Sequence, residues 1–261
     1  MKQFVLSCAP DERGRIVLSG GDYRYLARVR RLAPGESFPA LLPDGSKAGV
    51  RVCSVDGSRL VGEVVRESGC SRSDAAPDSL PPIVLFQALP KGEKMDLVVR
   101  QAAEGAVCEI VPFESEFSDV RIGGGRAGNK FARWERIVRE ARQQSGSATA
   151  TVVRMPTTAD GLFRRWEEIK EERPGALGLL FHHLPLAKTS LHGYLGGNPD
   201  AVVLAVGPEG GFSNLEVDRF MSAGFRPFTI GKTILRTETA ALYAQAAIRI
   251  LLLERDSWIT R

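Results

Sequence analysis

A chain of 261 residues has room for one large domain or two ordinary ones, each with a substantial core. Its 43% hydrophobic and 25% charged residues are ordinary globular composition, and a formal charge of +4 permits an acidic partner such as nucleic acid without demanding one. Four scattered cysteines with no C-x-x-C pair exclude a disulfide framework, and no apolar run approaches the ~20 residues of a membrane span, so a soluble cytoplasmic protein is expected.

In chain order, short β-like pieces come first, at 16–18, 38–42, 50–55 and 60–65, with Asp44-Gly45 and Asp56-Gly57 as turns. They suggest a small barrel. A helix over 22–32 interrupts them, with Tyr25, Leu26, Val29 and Leu32 at helical spacing and Pro34-Gly35 as its stop. The polar, proline-bearing stretch from Glu67 to Pro82 has no period and reads as a linker. Beyond it the rhythm changes to strand, helix, strand. Strands are expected at 83–89, 107–111, 176–181, 201–206 and 225–230. Helices are marked by Met95, Val98, Val99 and Ala102, by Phe131, Trp134, Val138 and Ala141 ending at Gly146, and by Leu162, Phe163, Trp166 and Ile169. One more begins at a Ser213/Glu216 capping box, and the last runs over 238–254. Such alternation predicts an α/β domain with a mostly parallel sheet flanked by helices. The expected division is 1–72, a linker over 73–82, and 83–261.

Ligands of open α/β sheets sit beyond the carboxyl ends of the strands. Two strand-loop-helix units stand back to back here. In the first, Val206 leads into Gly207-Pro208-Glu209-Gly210-Gly211-Phe212-Ser213; in the second, Ile230-Gly231 leads into Lys232 to Ala240 and the last helix. One bipartite pocket is the natural inference. The loops match neither G-x-x-x-x-G-K-[ST] nor G-x-G-x-x-G, which disfavours an ordinary nucleotidase or dehydrogenase, and there is no G-x-S-x-G for a nucleophilic triad. Thr237 and Glu238 suit a helix start, as a cap and as a negative charge on the dipole. Arg236 does not, since a cation just before a helix N-terminus opposes the dipole; its position suggests an anion or another functional partner.

His182, His183 and His192 lack the spacing of a metal site, so no metal is expected, and a loop role beside the pocket suits the first two better. Basic residues gather in three places: Arg24, Arg28, Arg30 and Arg31; Lys91 and Lys94; and the run from Arg121 to Arg142 that includes Arg133. With Tyr23, Tyr25 and Trp134 interleaved, these groups favour a phosphate-binding track for RNA over mere solvated helix faces.

Several of these segments resemble a known family. Gly207-Pro208-Glu209-Gly210-Gly211-Phe212-Ser213 with Glu216, followed by Ile230-Gly231 and Ile234-Leu235-Arg236-Thr237-Glu238-Thr239-Ala240, closely resembles the carboxyl-terminal signature of the ribosomal RNA small subunit methyltransferase E family, one of the SPOUT methyltransferases. Lys91-Gly92-Glu93-Lys94-Met95-Asp96 is similar to that family's K-G-x-[KR]-M-[DE] segment. Arg133-Trp134 through Gln144-Ser145-Gly146 is similar to its R-W-x-x-I-x-x-E-A-x-x-Q-[SC]-G helix, and Leu26 to Arg31 to its H-L-x-[RK]-V-L-R segment. The chain departs from the pattern at Arg100, Gln101 and Gly105, where Q-K-[AS]-x-E-L-G-V is usual. It departs again at Phe117, where T-E-R is usual, and at Ser147, where an arginine is expected.

The resemblance implies a small N-terminal PUA-like β-barrel that binds RNA and a C-terminal SPOUT-type domain with a deep trefoil knot, something sequence periodicity could never reveal. It implies S-adenosylmethionine as methyl donor, methylation of uridine N3 in small-subunit (16S) ribosomal RNA, and a homodimer in which one subunit's barrel presents RNA to the other's pocket. The cofactor would be held by Phe181, His182, Val206, Gly207, Glu209, Gly210, Gly211, Ile230, Gly231, Leu235 and Thr237. Arg236, with Glu238 or Glu209 as base, would serve catalysis; Arg28, Arg30, Arg31, Lys91, Lys94 and Arg133 would contact ribosomal RNA or the small subunit. Two alternatives stay open: a knotted enzyme acting on another RNA atom such as a ribose 2′-hydroxyl, and a non-catalytic RNA-binding assembly protein.

Overall fold

The computed structural model describes residues 3–6, 8–43, 45–65, 80–121, 127–183, 186 and 189–254. They belong to two compact units, Met1–Asp78 with Arg142–Ala150 and Ser79–Ala141 with Thr151–Arg261. The expected linker lies outside the described residues up to position 79. Residues 142–150, which the sequence reading keeps with the C-terminal domain, fall in the first unit.

In the first unit β1 (Phe4–Val5), β2 (Arg15–Ser19), β3 (Ser37–Leu41), β4 (Lys47–Val55) and β5 (Arg59–Val65) form one sheet in the order β1-β3-β4-β5-β2. All pairs are antiparallel except β1 with β3. Alternate residues, among them Ile16, Leu18, Phe38, Ala40, Val50 and Val52, turn inward to one core, as a half-buried strand requires. The helix expected over 22–32 is shorter and wider. It starts as α1 (Gly20–Tyr23) and continues through Arg24–Val29 with a π-type turn in which the Arg30 N–H reaches back to the Tyr25 carbonyl. The wider turn changes the phase of the face. Leu26 is buried as expected and Tyr23 joins it, whereas Tyr25 and Val29, expected on the same face as Leu26, are 39% and 69% exposed.

The second unit is built on a parallel sheet. Its strands are β6 (Ile83–Ala88), β7 (Glu109–Glu114), β8 (Val152–Val153), β9 (Thr157–Thr158), β10 (Ala176–Phe181), β11 (Ala201–Val206) and β12 (Arg226–Phe228). The order is β12-β10-β11-β6-β7-β8, with β9 also pairing β7. Strand side chains alternate between two cores. Leu85, Ile110, Val202 and Leu204 face α2 (Lys94–Glu104), α3 (Ala127–Ser145), α5 (Leu191–Leu195) and α7 (Thr237–Glu254). Phe86, Val111, Phe113, Val203 and Ala205 face α4 (Ala159–Glu172) and α6 (Asn214–Ser222). A sheet covered on both faces explains the near-continuous apolar runs at 83–89 and 201–206.

Boundaries shift where local hydrogen bonds intervene. The Val107 N–H closes the end of α2 on the Ala102 carbonyl, with Ala106 at φ +59°, so β7 starts at Glu109 rather than 107. The capping box on α6 is present as expected: the Ser213 hydroxyl accepts from the Glu216 N–H at 3.2 Å, and the Glu216 carboxylate accepts from the Ser213 N–H at 3.0 Å. The two-residue strands β1, β8 and β9 and the five-residue α5 are too short to show periodicity and were not expected. Among the described residues, no helix is long and apolar enough to cross a membrane.

Candidate active site

The register of the parallel sheet gathers its loops. Phe181 pairs with both Val206 and Phe228, and Val206 pairs with Gln87, so the chain leaves β6, β10, β11 and β12 at one edge. Between these exits lies a cavity of about 240 Å³. It is walled by 181–183 after β10, by 206–212 after β11, and by Thr229, Thr233, Ile234, Leu235, Thr237 and Ala240 between β12 and the start of α7. This is the crevice at the carboxyl ends of strands where α/β folds bind ligands.

Of the residues expected to hold a cofactor, Phe181, His182, Val206, Gly207, Glu209, Gly210, Gly211, Leu235 and Thr237 line this cavity, whereas Ile230 and Gly231 are not part of its lining. Gly211, at φ +73°, lets the loop turn back toward α6. A side chain on Gly210 would bring a Cβ within 3.0 Å of the Phe117 Cβ, so the loop packs closely there. His182 is buried and stacks on His183 with ring centroids 4.7 Å apart. Among the described residues no group of three His, Cys, Asp or Glu is placed to hold a metal ion.

The loops are tied by a buried polar chain that sequence reasoning missed. Gln87, fully buried at the end of β6, donates through Nε2 to the Ala88 carbonyl at 2.9 Å and to the Thr237 hydroxyl at 3.0 Å. Thr237 passes the chain on, its hydroxyl donating to the Gly207 carbonyl at 2.6 Å. Thus β6, the first turn of α7 and the glycine loop share one hydroxyl. The only sequence signal was a glutamine in an otherwise apolar strand.

Glu209 is a second tie. Its carboxylate accepts from the Lys91 N–H at 3.1 Å and from the Lys94 ammonium at 2.5 Å. Partial burial works to raise its pKa, but the Lys94 hydrogen bond and the main-chain donors outweigh it and hold the carboxyl below the ordinary glutamate value. Arg236 and Glu238 flank Thr237 outside the cavity wall. The Arg236 side chain is exposed, and Oε2 of Glu238 is buried with no hydrogen-bond partner among the described residues.

The expected RNA contacts divide. Lys91 pairs with Asp119 at 2.5 Å, and Arg133 pairs with Asp96 and, at 3.4 Å, with Glu93. Buried Trp134 donates to the same Asp96 at 3.0 Å. With Lys94 on Glu209, all three cations of this group are engaged within the unit. Arg28, Arg30 and Arg31 of the first unit are exposed.

A parallel sheet whose strand ends open onto a glycine loop and a helix N-terminus defines an α/β ligand-binding domain. Residues 77–249 match the model of the RNA methyltransferase domain. Ribosomal RNA small subunit methyltransferase E of Mycobacterium tuberculosis is 30% identical over 95% of this chain and 91% of its own length. Its Synechocystis counterpart is 33% identical over 95% of this chain and 78% of its own. The crystal structure of the Neisseria gonorrhoeae enzyme bound to S-adenosylmethionine superposes with a TM-score of 0.77 at 29% identity, covering 96% of this chain and 98% of that one. A Legionella pneumophila protein in complex with the same cofactor gives 0.77 at 27% identity, over 95% and 96% of the two chains. The chain belongs to the ribosomal RNA small subunit methyltransferase E family of RNA methyltransferases.

Proposed function

We propose that this protein transfers a methyl group from S-adenosylmethionine to N3 of a uridine in small-subunit (16S) ribosomal RNA. The observation that carries the reading is the cavity at the converging strand ends, built by the segments in which the family likeness is strongest. Apolar walls from Phe181, Val206, Phe212 and Leu235, edged by main-chain groups of 207–211 and 233–235, suit an adenosyl group, which is a flat apolar ring with polar edges. When bound, the cofactor supplies an electrophilic methyl on a sulfonium.

The protein's own tasks are then positioning, exclusion of water and handling of a proton. Uridine N3 becomes a good nucleophile only on losing its proton, so a base and a cation for the resulting anion are required. Arg236, exposed between the wall residues Leu235 and Thr237, suits the anion or an adjacent phosphate. Glu238 is the better base candidate of the two acids, because it follows the wall residue Thr237 and its Oε2 has no hydrogen-bond partner among the described residues. Glu209, ion-paired and with a depressed pKa, is the poorer base and is better suited to holding the 89–94 and 207–211 loops together.

The first unit serves on this reading as the PUA-like RNA-binding domain, with Arg28, Arg30 and Arg31 as its phosphate contacts. The segment from β10 to α7 carries the trefoil knot, and the protein acts as a cytoplasmic homodimer. Tyr243, Ile250 and Leu253, about half exposed on α7, offer an apolar face for the second copy. Light scattering that gives a monomer at micromolar concentration would remove the dimer.

The test of the reaction is mass spectrometry of nucleosides from unmethylated small ribosomal subunits incubated with the protein and S-adenosylmethionine. New 3-methyluridine is expected. A 2′-O-methylated nucleoside in its place would shift the assignment to another RNA atom, and cofactor-free, product-free RNA binding would favour an assembly protein.

A further inference from the structure

Phe117 is 48% exposed in the loop after β7, outside either core of its unit. Single exposed apolar residues are common and mean little by themselves. Two features set this one apart. The first is position: the Phe117 side chain lies against Gly210, a wall residue of the cavity, so the ring is a direct neighbour of the glycine loop.

The second is rigidity. The Ser118 N–H donates to the Ser115 carbonyl at 3.0 Å, and Arg121 spans the Glu114 carboxylate at 2.8 Å and the Glu116 carbonyl at 3.3 Å. On the other side the Glu116 N–H donates at 3.0 Å to Glu216 Oε1, the carboxylate that also caps α6. Lys91 fastens Asp119. The backbone carrying Phe117 is therefore held fast on both sides, and docking a flat ligand on the ring orders no loop.

The loop's charges narrow the ligand. Among the described residues beside the ring, Lys91 after β6 and Arg121 after β7 are each paired with a carboxylate, and Glu116 adds an exposed negative charge nearby. What this segment offers is an aromatic face beside the glycine loop, where the resembled family segment carries an arginine.

We propose that Phe117 is a stacking platform for a base of the RNA substrate next to the nucleotide presented at the cavity. The proposal rests on the RNA methyltransferase reading above and adds a substrate contact to it. It is tested by steady-state methyl transfer to unmethylated small ribosomal subunits with F117A, F117L and F117W, alongside cofactor affinity by calorimetry without RNA and thermal melting. F117A is expected to raise KM for the subunits about 5- to 150-fold, the range for loss of one base-aromatic stack. F117L should behave like F117A, because leucine fills the contact with Gly210 but has no π face, and F117W should stay within about twofold of wild type. Cofactor affinity and melting temperature should not move.

An unchanged KM in F117A, or full rescue by F117L, overturns the proposal. So does a loss of cofactor affinity in parallel with KM, which would mark Phe117 as packing for the glycine loop. Wild-type protein that binds cofactor but methylates no subunit RNA overturns the reading beneath it as well, whereas active wild type with indifferent F117A overturns this contact alone.

Discussion

Thr237→Val removes one hydroxyl and keeps the shape of the side chain. Thr237 is 4% exposed, accepts from Gln87 at 3.0 Å and donates to the Gly207 carbonyl at 2.6 Å, so valine leaves one amide N–H and one carbonyl without their partner. Gln87 keeps its bond to the Ala88 carbonyl, which limits the damage on that side. A buried polar group left unpaired costs about 1–3 kcal/mol. Taking about 2 kcal/mol, and about 2–4 °C per kcal/mol for a domain of this size, the variant should melt about 4–8 °C below wild type. Because Gly207 lines the cavity, S-adenosylmethionine affinity should fall about tenfold if about 1.4 kcal/mol of the loss is expressed in binding. Thr237→Ser keeps both hydrogen bonds and should recover most of both. Differential scanning calorimetry and titration calorimetry read the two effects. A valine variant that melts within about 1 °C of wild type and binds cofactor equally well would refute this account of the hydroxyl. A serine variant as impaired as valine would move the effect to the lost methyl.

Glu109 accepts from Arg165 through two nitrogens, each at 2.9 Å, and from Arg154 at 3.0 Å, deep at the start of β7. Arg165→Met should therefore destabilise by about 3 kcal/mol, the low end for breaking a buried pair since Arg154 remains, and adding Glu109→Leu should restore most of it by denaturant titration. Burial works to raise the Glu109 pKa, but the two arginines outweigh it and hold it below the ordinary value. The stabilisation is thus complete above the unfolded glutamate range near ~4.3 and is lost as pH falls through the folded value, so the melting difference between wild type and Glu109→Gln should shrink on acidification. Cys108 is pushed up to about 11, chiefly by burial and then by the neighbouring Glu109 charge, so at pH 8 it should react with a thiol reagent far more slowly than exposed Cys53; equal rates by peptide mass mapping would contradict this. Arg236→Ala should cut methyl transfer at least tenfold while leaving cofactor affinity within about twofold, and equal turnover with intact RNA binding would remove Arg236 from the chemistry.

Much of the candidate site's lining was legible in the sequence because two apolar strands each break at glycine into a polar loop, and the strand ends of an open α/β sheet share one edge. The interpretation of its charges was not. Lys91, Lys94 and Arg133 sit in segments that read as cationic, and only the fold shows that Asp119, Glu209 and Asp96, all remote in sequence, lie opposite them. Glu209 changed in the same way: next to glycines it looks like a free acid, and with Lys94 at 2.5 Å it is a tie. Gln87 went unnoticed because a single polar residue in a strand carries no periodic signal, yet it is the group on which Thr237 depends.

The sequence by itself determined the alternating helices and strands, the parallel sheet covered on both faces, the capped α6, and the two loops that frame the cavity. Those follow from local rules: the spacing of apolar side chains, the breaking of strands at glycine and proline, and the capping of helix ends. Local backbone bonds without a periodic signal set the π-type turn after α1 and the late start of β7. Tertiary structure alone decided the ion pairs that engage the basic residues, the Gln87–Thr237–Gly207 chain and the seating of Phe117 on Gly210, each of which depends on partners brought together by strand register or helix packing. A charge or a hydroxyl shows in sequence what it could bond, and only the fold chooses the partner.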